Sequence, residues 1–189
     1  MPHSLPAKGT KRIGMVARWR PVHRGQAVVL RNLSDHAEQL LIGIGSANRY
    51  NYRNPFTLQE TMDMLHLALA DCDNVMLLPI DDLDDGPRWA QMVREQFGPL
   101  DLFVTANAYV GELMRTFYPV EHPVSFVPAE QRVPITGTQV RLVMARGEAW
   151  EQLVPDAVAN YLKENGLDER FRREFGLQTL AAATTIQSD

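Results

Sequence analysis

Short apolar runs alternate along the chain with longer segments whose apolar residues recur every three or four positions, the pattern of strands alternating with amphipathic helices. Residues 12–16 (Arg-Ile-Gly-Met-Val) read as a first strand, followed by a polar turn and a helix over 25–34. A second strand over 39–44 runs into Gly43-Ile44-Gly45-Ser46, a small-residue break where backbone is expected to approach a ligand. After a polar loop over 47–56, Thr57 predicts a helix N-cap. Glu60, three residues on, completes a capping box, and Leu58, Met62, Leu65 and Leu69 share one face. Further strands are predicted over 75–78, 100–105 and 124–127. Further helices are predicted over 88–97, 108–117, from near Thr138, and over 155–165, where Pro155 suits a first helical position and Gly166 a stop. Strands alternating with helices imply parallel pairing through right-handed crossovers. The expected fold class is therefore α/β: a Rossmann-like open parallel sheet with helices on both faces and a small helical C-terminal segment.

Composition narrows the functional classes. A chain of 189 residues, 45% hydrophobic and 22% charged, suits one well-packed globular domain, expected over 12–177. The tails 1–11 and 178–189, the second rich in Ala, Thr and Gln, are expected to be flexible. A net charge of −4 argues against nucleic acid as the main partner, because phosphate backbones recruit basic faces. The single cysteine, Cys72, excludes an internal disulfide, and no Cys/His spacing suggests a protein metal site. No apolar run approaches the ~20 residues of a membrane helix, and 1–11 lacks the apolar core of a signal peptide. A cytoplasmic location is expected.

Two segments carry candidate phosphate chemistry. The first, Arg18-Trp19-Arg20-Pro21-Val22-His23-Arg24-Gly25-Gln26, joins the first strand to the first helix. Open α/β sheets bind ligands at such carboxyl-end loops, and the helix amides there favour phosphate. His23 and Gln26 are three apart, so one helical turn could aim both at one ligand, while Arg18, Arg20 and Arg24 add charge-assisted donors. A solvated basic turn is the plainer alternative. The second segment, Thr136-Gly137-Thr138-Gln139-Val140-Arg141, places two hydroxyls around a glycine at a helix start, with Arg141 one turn beyond Thr138. Such a nest suits a triphosphate, although Thr138 read alone is simply an N-cap. His36, His66 and His122 have no partner pattern. Trp89, early in a helix, reads first as core or rim packing.

Together these residues carry a resemblance. The segment 18–26 resembles the Arg-Phe-Gln-Pro-Phe-His-x-Gly-His motif of archaeal-type nicotinamide-nucleotide adenylyltransferases. Gly43-Ile44-Gly45-Ser46-Ala47, Asn54-Pro55-Phe56-Thr57 and Glu60 are similar to that family's next block, and Pro79-Ile80-Asp81-Asp82 with Trp89 to its pyridine-nucleotide region. Thr136-Gly137-Thr138 to Arg141 resembles its Ser-Gly-Thr-x-x-Arg motif, and Trp150 with Leu153-Val154-Pro155 its C-terminal signature. The resemblance implies a nucleotidyltransferase in which His23 and Arg141 act on the reacting phosphates. Arg18, Arg20, Gly25, Gln26, Thr136, Gly137, Thr138 and Arg141 would hold the nucleotide, and Ser46, Asp82 and Trp89 the acceptor. It implies AMP transfer from ATP to nicotinamide mononucleotide (NMN), giving NAD and pyrophosphate, with Mg2+ carried on the ATP phosphates. It is also compatible with a homo-oligomer. One departure stands out: Gln26 replaces the second motif histidine. That leaves two alternatives open, a sibling adenylyl- or cytidylyltransferase with another phosphorylated acceptor, and a non-catalytic nucleotide-binding protein.

Overall fold

The computed structural model describes residues 10–186. In chain order the elements are β1 (Thr10–Ala17), α1 (Arg24–His36), β2 (Ala37–Ile44), α2 (Leu58–Ala68), β3 (Val75–Pro79), α3 (Gly86–Phe97), β4 (Leu102–Val104) and α4 (Ala108–Met114). There follow β5 (Val120–Glu121), α5 (Gly137–Ala145), α6 (Asp156–Glu164), α7 (Leu167–Phe171) and α8 (Leu177–Ile186). The fold class is α/β, as the alternation predicts. The described chain divides into two compact units, neither continuous in sequence: 10–18, 28–48 and 71–132 form the first, and 19–27, 49–70 and 133–186 the second. Among the described residues no helix is long and apolar enough to cross a membrane.

The first unit holds a five-stranded sheet in the order β3-β2-β1-β4-β5, every neighbouring pair parallel. α3 and α4 pack on the sheet face that carries Leu41 and Phe103. The buried strand residues serve both faces. Ile13, Leu40, Ile42 and Val104 alternate with Leu41 and Phe103, and the latter two join Ile80, Ala90, Val93, Phe97, Met114 and Tyr118 in one apolar cluster. Two strand glycines let α3 come close. A Cβ on Gly14 would lie 2.5 Å from Leu100 and 2.8 Å from Phe97, and one on Gly43 would lie 2.7 Å from Val16. Gly43 is thus small because the core packs against it. Asp85, last of an acidic run, caps α3 by accepting from the Arg88 amide.

The fifth strand differs from expectation. Val120–Glu121 pairs with β4, whereas 124–127 falls largely in a 3-10 turn, Pro123–Phe126. Proline at the turn's start and a His122 ring accepting from the Val124 amide favour the turn, and Phe126 is buried from it.

The second unit is helical. Thr57 and Glu60 form the expected capping box at α2, and Glu60 also takes a bidentate ion pair from Arg170 of α7, at 2.6 and 2.7 Å. Tyr161 of α6 donates to Asp63 of α2 at 2.9 Å. Burial of Phe56, Trp150, Val158, Leu162 and Phe171 completes this core. Pro155 is the N-cap of α6 rather than its first residue, and Gly166 takes a left-handed φ of 62° between α6 and α7. The stretch 178–186, expected to be a loose tail, is helical as part of α8. Of the N-terminal tail, 10–11 belong to β1, while 1–9 and 187–189 lie outside the described residues.

Candidate active site

The phosphate-binding candidates of the second unit are drawn together by two helix starts. Trp19 and Val22 are buried, anchoring the loop that leads into α1, and Trp19 holds a left-handed φ of 59°. Such backbone persists only where its surroundings over-determine it. His23 stands immediately before α1, and its carbonyl accepts the Ala27 amide at 3.0 Å, so it is the helix cap. Its ring Nδ1 accepts from the Gln26 backbone amide at 3.3 Å. An accepting Nδ1 leaves the proton on Nε2, so the neutral ring is a donor there. Burial pushes the His23 pKa from 6.5 down to about 4, and the Arg141 guanidinium adds to the effect. The ring is therefore neutral at physiological pH.

Gly25 makes this start possible. A Cβ there would meet the Val133 carbonyl oxygen at 2.7 Å and the His23 ring at 3.2 Å. The segment leading to α5 thus runs against the first turn of α1. At α5 the cap is Thr136, whose hydroxyl accepts from the Gln139 amide at 3.1 Å, rather than Thr138. Helix geometry leaves the Gly137 and Thr138 amides, on the first two helical residues, without an intrahelical acceptor. Arg141 spans the two helix starts, donating to the Arg20 carbonyl at 2.9 Å and to the Thr138 hydroxyl at 3.2 Å. A Cβ on Gly137 would lie 3.2 Å from that guanidinium, so the glycine makes room for it. Two sets of helix amides, a fixed cation and a neutral imidazole donor form a cradle for an anion with several oxygens.

Three arginines of the first segment are placed differently from one another. Arg20, expected as a phosphate donor, is 2% exposed and donates to the Thr61 hydroxyl and the Arg49 carbonyl. A guanidinium committed to interior acceptors orders the loop, and it is Arg20's carbonyl that meets Arg141. Arg24 is turned to the Gln152 carbonyl and the Asp156 carboxylate. Arg18, of the first unit, is exposed just past the end of β1.

The acceptor candidates belong to the first unit. Ser46 follows β2 with a left-handed φ of 53°, and the loop is tied down by the Gly45 amide on the Ala17 carbonyl and the Ala47 amide on the Ile80 carbonyl. The Ser46 hydroxyl donates to the Asp82 carboxylate at 3.4 Å. Asn48 was not singled out by its sequence context, a polar loop without a motif. Its side-chain amide donates to the Asp82 carbonyl at 3.0 Å, and its oxygen accepts the Asp82 amide at 2.8 Å. Trp89, in the first turn of α3, is half-buried against the apolar cluster. Thr61 also escaped notice, although a hydroxyl among the apolar positions of α2 was its signal.

Comparison with known proteins places these features in context. The model of a family described as cytidylyltransferase-like matches residues 17–143. The chain is 33% identical over 153 residues to the nicotinamide-nucleotide adenylyltransferase of Methanococcus vannielii, covering 79% of this chain and 87% of that protein. It is 33% identical over 168 residues to the protein of the same name from Pyrococcus furiosus, covering 86% and 88%. Among solved structures it is similar in fold to a bifunctional NMN adenylyltransferase/ADP ribose pyrophosphatase from Francisella tularensis. The TM-score is 0.71 at 16% identity, over 95% of this chain and 55% of that one. The chain therefore spans just over half of that protein. The Francisella protein has also been solved with AMP and a manganese ion.

Proposed function

The chain belongs to the cytidylyltransferase-like family, alongside the nicotinamide-nucleotide adenylyltransferases it is similar to, and on that premise we propose that it transfers AMP from ATP to NMN, releasing pyrophosphate and forming NAD. The observation that carries this reading is the cradle of His23, Arg141 and the α1 and α5 helix starts, in a chain a third identical to those enzymes.

In this reaction a phosphate oxygen of NMN attacks the α-phosphorus in line. The bond from that phosphorus to the bridging oxygen breaks, and pyrophosphate leaves with the electron pair. No protein nucleophile is required; position and electrostatics do the work. Negative charge grows on the departing pyrophosphate. Arg141 meets it as a permanent cation, the helix amides as oriented dipoles, and His23 through its Nε2–H. The His23 bond strengthens as the oxygen becomes more basic, which favours the transition state over the bound substrate. Magnesium would enter with ATP, on its phosphates, rather than in a cage of protein ligands. The acceptor falls to Ser46, Asp82 and Trp89, with Asn48 fixing the backbone of Asp82.

An acceptor panel tests the proposal. With ATP present, NMN is expected to give the fastest pyrophosphate release among NMN, phosphopantetheine, flavin mononucleotide and simple sugar phosphates. Preference for any of the others would move the chain to a sibling transferase.

A further inference from the structure

We propose that Gln26 is a positioning residue whose side chain locks the His23 backbone as a helix cap, and through that cap steadies the ring tautomer, and that it is not itself a phosphate ligand. The inference rests on the catalytic reading of His23 above. Its ground is a reciprocal pair: the Gln26 backbone amide donates to His23 Nδ1 at 3.3 Å, and the His23 backbone amide donates to the Gln26 side-chain oxygen at 3.3 Å, so the second bond is the one the glutamine side chain itself supplies. His23 is the cap of α1 and Gln26 the third helical residue, so the two occupy the positions of a capping box, with an imidazole where serine or threonine usually stands. Each bond is long, but together they hold both the backbone and the ring of His23. A histidine at position 26 would lack the amide oxygen that reaches back to the His23 amide. Glutamate would reach it, but would set a carboxylate beside Arg141 and the expected triphosphate. Glutamine supplies the acceptor without the charge.

The substitution from the family's motif is therefore a change in how the first histidine is held. The cradle's other donors serve the phosphates without it, because Arg141 and the α5 start reach their positions through Arg20, Thr138 and Thr136.

The test reads the ring nitrogens of His23 by nitrogen-15 NMR in the ligand-free protein, assigned by loss of the signals in His23→Ala. The native ring is expected as the Nε2–H tautomer alone. Gln26→Ala, checked for native fold by circular dichroism, keeps the backbone donor to the ring but loses the side-chain bond that holds the His23 backbone over it, and by loosening that cap should make the other tautomer detectable, while Gln26→Glu should keep the native one. In steady-state assays Gln26→Ala should lower kcat about tenfold, the scale of one lost cap, with the ATP KM changed less than about twofold. Gln26→Glu should show the opposite split, a KM raised at least about fivefold by charge repulsion. Gln26→His should bring no gain in turnover. The proposal is overturned if Gln26→Ala leaves the tautomer untouched and weakens ATP binding, or if Gln26→His speeds turnover. The ring spectrum needs no substrate, so it decides the inference even for a chain that does not turn over NMN, and turnover judges the reaction separately.

Discussion

At the scale of single residues, the site works by desolvation as much as by charge. His23 is 6% exposed, and its pKa of about 4 means that the folded protein binds its proton less well than the unfolded chain does. Between pH 4 and 6.5 the unfolded state holds more protons, so stability rises with pH across that window. The contribution is complete above the unfolded value and is lost as pH falls toward the folded one, amounting to about 3 kcal/mol at full extent. Urea denaturation should show this slope, and His23→Ala should flatten it; an equal slope in both proteins would mean that the ring is not buried neutral. Arg141 makes a different demand. Its guanidinium bridges the Arg20 carbonyl and the Thr138 hydroxyl, which a lysine ammonium cannot reproduce in the same geometry. Arg141→Lys, which keeps the charge, should still lower kcat/KM by about 10- to 100-fold. Near-native kinetics would reduce Arg141 to a point charge. Spacing in the sequence brought His23 and Arg141 forward, but it could not separate Arg20 from them. Whether a guanidinium faces a ligand or an interior hydroxyl depends on a distant partner, here Thr61.

At the scale of elements, local rules were legible wherever neighbours in sequence sufficed. The capping box at α2 follows from residues within one turn of each other, whereas α3 begins at Gly86, two residues before the expected start, because Asp85 caps it. Position 124–127 misled because an apolar run with β-branched residues reads equally as a strand or as a short buried turn, and Pro123 decided between them. The cap of α5 moved from Thr138 to Thr136 for a similar reason: two threonines flank one glycine, and only backbone angles select the capping hydroxyl. What no local rule reveals is that the cap of α2 doubles as an anchor. Glu60 closes the capping box and pairs with Arg170, and although burial alone would raise its pKa, those bonds hold it below the usual carboxylate range. With side chains 16% and 22% exposed, the pair is largely sheltered from water. Glu60→Ala leaves the Thr57 cap but removes the reciprocal half of the capping box, and it leaves Arg170 without its carboxylate, so it should cost about 2–4 kcal/mol. Glu60→Gln, which retains an acceptor for the cap, should cost less. Equal losses would assign the whole effect to the ion pair.

At the scale of the whole molecule, the interleaving of the two units was not legible, because no linker or shift of composition marks where the chain passes from one to the other. The parallel sheet was, since strand and helix alternate throughout the segments that build it. The division sorts the chemistry. The phosphate-cradle residues His23, Thr136, Thr138 and Arg141, with Gln26 beside them, belong to the helical unit, and Ser46, Asp82 and Trp89 belong to the sheet unit. Trp89 offers a reporter for the second set: if its half-buried ring stacks on the acceptor, NMN should quench tryptophan fluorescence, and Trp89→Ala should remove most of that change. Quenching that survives the substitution would leave Trp89 a packing residue. The central claim, that this cradle drives adenylyl transfer, is tested most directly by measuring NAD and pyrophosphate together from ATP and NMN, in the native protein and in His23→Ala. Equimolar products that depend on NMN, with the rate lowered at least about a hundredfold in His23→Ala while ATP still binds, are the expected result. ATP binding by the native protein without NMN-dependent formation of either product would contradict it.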